Sequence, residues 1–391
     1  MRILHVIPGL TRERGGPTTV VEALARHQSA AGHAVVVLTT SQGLRRGEHF
    51  VELAPGVEVE RVETRGPDRL AYAPGWTDAV RRRLRGCDVV HAHSLFTYPI
   101  HRTLAEAPAA GVPLVLRPCG LLHPYSLRRS RWVKRLYLAL WGRRVRRACA
   151  AWHYTSEQEA RASWPHDDSA HFVLPNGVEP DEFAVAPDAA RTTVQRRWPE
   201  LGDAPYVLFL GRLHAKKRLD LLLEAFLAAA PPEYRLVVAG PEEGGVWEPL
   251  RRRLLRDGAA ARRVLRVGAV HGDEKAALLA AAELFALPSE HENFGIAALE
   301  ALTARTPVLL SPHVDLAEPA ERAGLVRTAP LNLAAWKERL AELLRTPPRR
   351  EPRDWDWVAA NYSWRALAAR LDDEYRRLLR EPLHAAAPTH G

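Results

Sequence analysis

Residues 287–302 read Leu-Pro-Ser-Glu-His-Glu-Asn-Phe-Gly-Ile-Ala-Ala-Leu-Glu-Ala-Leu, and the change of period inside them decides the architecture. A short apolar run ends at Leu287, a polar turn follows, and a helical pattern opens near Phe294 and Gly295. Strand, turn and helix in that order form the repeating unit of proteins whose parallel strands are covered by helices on both faces. The same unit recurs in both directions along the chain. Upstream within the same half, residues 206–210, 235–239 and 264–267 read as strands, and downstream so do 307–310. Nearer the amino end, residues 3–7, 34–39, 57–62, 88–93, 113–116 and 152–155 have the same character, with helical spacing over 18–30 and 132–148. The alternation pauses after Pro175-Asn176-Gly177, in a polar, proline-containing stretch over 179–205. An α/β chain of two Rossmann-like domains is therefore expected. The first covers residues 1–183 and the second 184–363. Such folds take ligands at the carboxyl ends of their strands, so two parallel sheets are expected to face a shared cleft.

The bulk properties set limits on this reading. The chain has 391 residues and is 47% hydrophobic, enough for two domains with their own cores. No run approaches the roughly 20 uncharged apolar residues of a membrane-spanning helix. The opening Met1-Arg2-Ile3-Leu4-His5-Val6-Ile7 reads as a buried strand rather than a secretion signal, so a cytoplasmic location is expected. Cys87, Cys119 and Cys149 are odd in number and widely spaced, which argues against a disulfide framework or a structural zinc site. The net charge of +9 favours anionic partners such as nucleotides, phosphates or acidic lipid headgroups. Charge is the sole argument for nucleic acid, which is not an expected partner.

Within residues 287–302, Glu292 precedes the helix and Glu300 follows about two turns later, on the order of 8–12 Å along the axis. Two carboxylates so spaced suit the hydroxyl groups at the two ends of a nucleotide sugar. The helix start between them, with unpaired N–H groups and a partial positive charge, suits the diphosphate. Alone, the pair reads more readily as a dipole-complementing residue and a surface glutamate; Phe294-Gly295 and the flanking strand and helix shift the reading toward a site. A second block, Leu210-Gly211-Arg212-Leu213-His214-Ala215-Lys216-Lys217, sets cations at the carboxyl end of a strand, where a pyrophosphate would sit. A third, Gly15-Gly16-Pro17, offers glycine backbone to a phosphate or simply makes a turn.

Together these blocks resemble the retaining family-4 glycosyltransferases of the GT-B fold, whose hallmark is two glutamates eight residues apart within a Pro-Ser-x-x-Glu-x-Phe-Gly block. The resemblance spans nearly the whole chain and is strongest over 206–310. It implies donor-ribose binding by Glu300 and donor-sugar binding by Glu292, with amides around Phe294 and Gly295 meeting the sugar and phosphates. It implies that Arg212 and Lys217 clamp the diphosphate beside Gly211, that Gly268 lines the base pocket, and that Gly15 and Gly16 face the donor phosphates. It also implies that the helix near 364–391 crosses back onto the first domain. The nucleotide sugar would be a co-substrate, with no cofactor and no metal. Asp354-Trp355-Asp356 matches a metal signature of a different glycosyltransferase fold, but it does not follow an apolar strand.

Three departures stand out. Cys119 occupies the position where a histidine is common; transfer in this family leans on the donor's own phosphate as base, so the loss need not abolish activity. His123 is a candidate substitute, and His93, with His91, closes a strand on the expected acceptor side. Arg305 stands where a glycine usually follows the Glu300 helix. Arg128, Arg129, Arg131, Lys134, Arg135, Arg143, Arg144, Arg146 and Arg147 interleave with Trp132, Leu136, Tyr137, Leu140 and Trp141. That pattern over 128–147 suits either an anionic membrane surface at the inner face or a sheet-covering helix with a solvated face. The expected activity is transfer of a sugar from a nucleotide-diphospho-sugar to an acceptor hydroxyl. The alternatives are an epimerase on the same fold and a non-catalytic sugar-nucleotide or glycan-binding protein.

Overall fold

A computed structural model describes residues 1–11, 16–44, 52–128, 131–165, 167–346 and 352–380. The chain divides into two compact units, one holding the first 177 residues and Trp364 onward, the other Val178–Ser363.

In the first unit seven strands, all parallel, lie in the order β3-β2-β1-β4-β5-β6-β7. They are β1 (Arg2–Gly9), β2 (Ala34–Thr40), β3 (Val57–Val62), β4 (Val89–His93), β5 (Leu114–Arg117), β6 (Ala151–Tyr154) and β7 (His171–Val173). Both faces are covered, which is why successive residues of β1, β4 and β5 are buried rather than alternating between core and solvent. Leu4, Val90, Leu114 and Trp152 point to one face. Ile3, Val89, Val115 and Ala151 point to the other, against helices Gly16–Ala30 and Trp364–Arg380. The latter helix buries Trp364, Leu367, Ala368, Leu371, Tyr375 and Leu378, a stripe at helical spacing.

The second unit has six parallel strands in the order β10-β9-β8-β11-β12-β13. They are β8 (Tyr206–Leu210), β9 (Arg235–Ala239), β10 (Val264–Gly268), β11 (Leu284–Leu287), β12 (Val308–Leu310) and β13 (Val326–Thr328). In each sheet the strand order reverses beside the first strand, between β1 and β4 and between β8 and β11. That is the doubly wound, Rossmann-like arrangement.

Three features differ from the sequence reading. The boundary falls at 177/178 rather than 183, because Val178 donates to the Tyr362 carbonyl at 2.8 Å and bridges Ser363, while Phe183 lies in the second core. The edge strands β7 and β13 were not anticipated; each has three residues, too few to show a period. The basic helix Arg131–Ala148 does not cover the sheet with a broad apolar face; it buries only Gly142, Val145 and Ala148. Among the described residues, no helix is long and apolar enough to cross a membrane.

Candidate active site

In the second unit, the loops leaving β8 and β11 meet at the reversal of strand order. The Glu290 amide donates to the Lys216 carbonyl at 2.7 Å. One oxygen of Glu292 lies 2.7 Å from Lys217 Nζ and 3.3 Å from Lys216 Nζ. Burial would raise the Glu292 carboxyl, but the two ammonium groups outweigh it and hold the group below the usual carboxylate range. Burial draws the Lys217 ammonium down, with Glu292 opposing. A buried carboxylate with two cations is thus fixed at the carboxyl ends of the two central strands.

The loops close tightly here because two positions carry no side chain. A Cβ on Gly240, after β9, would stand 2.0 Å from the Gly211 carbonyl oxygen. Gly211 donates to Ala239, and Gly240 donates to Gly268 at 2.6 Å, so Gly211, Gly240 and Gly268 tie the ends of β8, β9 and β10 together. Gly295 caps helix Ile296–Thr303 at φ 93°, and a Cβ there would meet Val314 at 2.6 Å. No side chain caps this helix start, leaving its first amides suited to an anion. Phe294 is a core residue, with its ring 5.8 Å from that of Tyr362.

The other nominated groups are distributed differently. Glu300 lies in helix Ile296–Thr303 and is bound by Lys275 of helix Gly272–Ala280 at 2.7 Å; burial raises its carboxyl despite that cation. Arg212 does not join the Glu292 cluster: its Nη1 sits 2.6 Å from Glu243, and its side chain is more than half exposed. A guanidinium on a flexible, exposed stem takes the nearest carboxylate. Sequence reasoning does not reach Lys216 or Lys275. Lys216 was visible only as one of two adjacent lysines, and nothing local to Lys275 announces that its helix lies beside Glu300.

In the first unit, Gly16 opens helix Gly16–Ala30, and Gly15 lies outside the described residues. His93 ends β4 and is fully buried. Cys119 follows β5 in the left-handed region at φ 54°, and burial pushes its thiol up, as expected of an inert group. His123 is half-buried, accepts from the Tyr125 amide at 3.2 Å, and is lowered by burial. The turns leaving β4 and β5 hold Ser94 at φ 86° and Phe96 at φ 61° as well. Non-glycine residues in that region cost on the order of 1–3 kcal/mol each and gather at functional sites. On helix Arg131–Ala148, Trp132, Val133, Leu136 and Leu140 are exposed by 59–72%. Leu140, Trp141, Arg143, Arg144 and Arg147 line a shallow hollow. Arg129 is outside the described residues.

Comparison with known proteins matches residues 190–372 to the model of "Glycosyl transferases group 1" and residues 15–177 to "Glycosyl transferase 4-like domain". The chain is 31% identical over 415 residues to a D-inositol 3-phosphate glycosyltransferase of Thermobispora bispora, covering 97% of this chain and 94% of that one. It is 28% identical over 400 residues, 98% of each chain, to a GDP-mannose:cellobiosyl-diphosphopolyprenol alpha-mannosyltransferase of Xanthomonas campestris. Among solved structures, Anabaena Alr3699/HepE in complex with UDP and glucose superposes with a TM-score of 0.76 at 16% identity, over 96% of this chain and 100% of that one.

Proposed function

The chain belongs to the family-4 glycosyltransferases of the GT-B fold, and on that premise we propose that it transfers a hexose, with retention, from a nucleotide-diphospho-sugar to a hydroxyl of a lipid-linked or small sugar acceptor. The observation that carries the reading is the buried Glu292 carboxylate held by Lys217 and Lys216 where β8 and β11 part. A nucleotide sugar presents hydroxyls at both ends of a dianionic diphosphate. Glu292 and Glu300 are acceptors for the hydroxyls, and Lys217, the helix start at Gly295 and a swung Arg212 are donors for the phosphates.

Transfer breaks the bond from the sugar's anomeric carbon to the diphosphate, whose oxygen keeps the electron pair. The acceptor oxygen bonds to that carbon on the same face. Its proton passes to the departing phosphate oxygen, giving a nucleoside diphosphate and a new glycoside. Cations fixed before reaction stabilise the charge that grows on the leaving group, a contribution of about 10²–10³ in rate for a well-placed donor. GDP-mannose is the first donor to test, because chains alike over 98% of their length carry that name. The relatives' diphosphopolyprenol acceptor suits the basic, apolar helix Arg131–Ala148, which we assign to an anionic membrane surface.

The test is product analysis with GDP-mannose and a synthetic lipid-diphosphate cellobioside. The expected products are GDP and the mannosylated lipid. Glu292→Ala and Glu300→Ala should each lose activity about 10²-fold or more while remaining folded by circular dichroism. Full turnover by either variant overturns the site assignment. Conversion of the donor with no acceptor added would identify an epimerase instead.

A further inference from the structure

Four histidines line one face of the first sheet: His5 on β1, His91 and His93 on β4, and His153 on β6. They lie one layer above Ile3, Val89, Val115 and Ala151, which pack on helix Trp364–Arg380. The pairing of His5 with His91, and of His93 with Arg117, sets this layer by register. None of the four has a role in the transfer described above.

Their hydrogen bonds have determinable directions. His153 Nε2 lies 2.8 Å from the Leu174 carbonyl, which only accepts, so Nε2 carries the proton and Nδ1 accepts. His91 Nε2, 3.2 Å away, must then donate to it. His91 Nδ1 in turn accepts from the Tyr375 hydroxyl at 2.6 Å. A second chain starts from Asp372, one turn before Tyr375. Its carboxylate accepts from Gln28 Nε2 at 3.1 Å and His33 Nε2 at 2.7 Å. That orients the Gln28 amide, whose oxygen accepts from His5 Nε2 at 2.8 Å. His5 Nδ1 is left to accept from His93 Nε2 at 3.0 Å. The chain ends at His93 Nδ1, a buried lone pair with no partner. Burial lowers His5, His91, His93 and His153 alike, keeping the rings neutral and the directions intact.

These directions exclude one reading. His5, His91 and His93 lie close enough to hold a metal ion, yet both nitrogens of His91 are engaged, so the trio does not present three lone pairs to an ion. What remains is a directed acceptor at the carboxyl end of β4. On the neighbouring strand, Arg117 Nε–H is likewise buried without a partner, while Nη2 donates to Asn176 and Nη1 approaches Cys119. A lone pair and an N–H on register partners of neighbouring strands suit a hydroxyl, which donates to the first and accepts from the second. The left-handed turn residues Ser94, Phe96 and Cys119 leave these same two strands.

We propose that His93 is an acceptor-binding residue, its Nδ1 receiving a hydroxyl of the sugar acceptor beside Arg117, and that His5, Gln28 and Asp372 are positioning residues that fix its tautomer. The proposal rests on the transferase reading above. Two measurements on the full chain test it. With GDP-mannose and the lipid-diphosphate cellobioside, His93→Leu should raise the acceptor KM about tenfold, the scale of one hydrogen bond to a buried group, with the donor KM unchanged. Gln28→Leu, which interrupts the chain two links away, should raise the acceptor KM in the same direction. In nitrogen-15 NMR of histidine-labelled protein, His93 should show a bare Nδ1 and protonated Nε2 at pH 6 and pH 8, and Gln28→Leu should remove that preference. Addition of cellobiose with GDP should move the Nδ1 resonance. An unchanged acceptor KM in an active His93→Leu enzyme, or a protonated Nδ1 in the wild type, overturns the proposal and leaves the transferase reading standing. A wild type that transfers sugar to no acceptor overturns the transferase reading instead.

Discussion

Arg305 shows how a single residue can record a conflict between backbone and side chain. Helix Ile296–Thr303 ends with the Thr306 amide bonded to the Ala301 carbonyl and the Arg305 amide bonded to Leu302, the pattern of a Schellman motif. That motif needs a left-handed residue, and Arg305 adopts φ 59°. A left-handed conformation costs a non-glycine residue about 1–2 kcal/mol, partly offset by the greater freedom glycine loses on folding. Arg305→Gly should therefore stabilise the second unit by about 0.5–1 kcal/mol in urea unfolding; destabilisation would show that the arginine side chain contributes more than its backbone costs. The same scale shows what a sequence makes legible. Glu292 and Lys217 stand out because each sits just after a strand, where the doubly wound sheet gathers ligands. Lys275 does not, since its meeting with Glu300 depends on how two helices pack. Arg212 stands apart from the Glu292 cluster for a related reason. An exposed guanidinium follows the nearest carboxylate, here Glu243, and no spacing rule foretells which one that is.

At the scale of elements, regular strands were readable and marginal ones were not. β1, β4, β8 and β11 are buried on both faces; β8 and β11 give unbroken apolar runs, and buried histidines alone interrupt the apolar pattern of β1 and β4. β7 and β13 sit at sheet edges with three residues each, and pairing rather than composition makes them strands. Helix Arg131–Ala148 is the element whose surface contradicts the usual partition. It packs on helix Tyr98–Ala109 through Tyr137 and Trp141 around His101, and turns Trp132, Leu136 and Leu140 outward among its arginines. Attraction to an anionic surface contributes about 1 kcal/mol per nearby basic side chain. Replacing Arg143, Arg144 and Arg147 with glutamine should weaken co-sedimentation with phosphatidylserine-containing vesicles by about 10²-fold. Trp132→Ala with Leu136→Ala should weaken binding further through lost apolar burial. Equal binding to purely zwitterionic vesicles would remove the assignment.

For the molecule as a whole, the two units answer acid differently. The buried histidines of the first unit have folded pKa values below the 6.5 of an exposed imidazole, with His5 lowered to about 4 by burial. Below pH 6.5 the unfolded chain takes up protons that the folded chain refuses, so stability falls as pH drops and continues to fall toward pH 4. At pH 5 His5 alone costs about 2 kcal/mol on this account. No second cluster of this kind lies in the other unit among the described residues. Calorimetry should show one transition moving down between pH 7 and pH 5 and the other moving less; two transitions shifting together would contradict the placement of the acid-sensitive groups. The histidine layer itself was beyond sequence reading. His5, His91 and His153 are far apart along the chain, and only strand register sets them side by side.

Helix Trp364–Arg380 also sets an order of events at the ribosome. It supplies Trp364, Leu367, Leu371 and Tyr375 to a sheet whose first strand is Arg2–Gly9, yet it is translated after all of Val178–Ser363. The half of the protein begun first therefore waits, with part of one face of its sheet covered only by helix Gly16–Ala30, while the half begun second has every residue it needs to finish. Anything that shields nascent chains must guard that face for the time taken to synthesise an entire second domain.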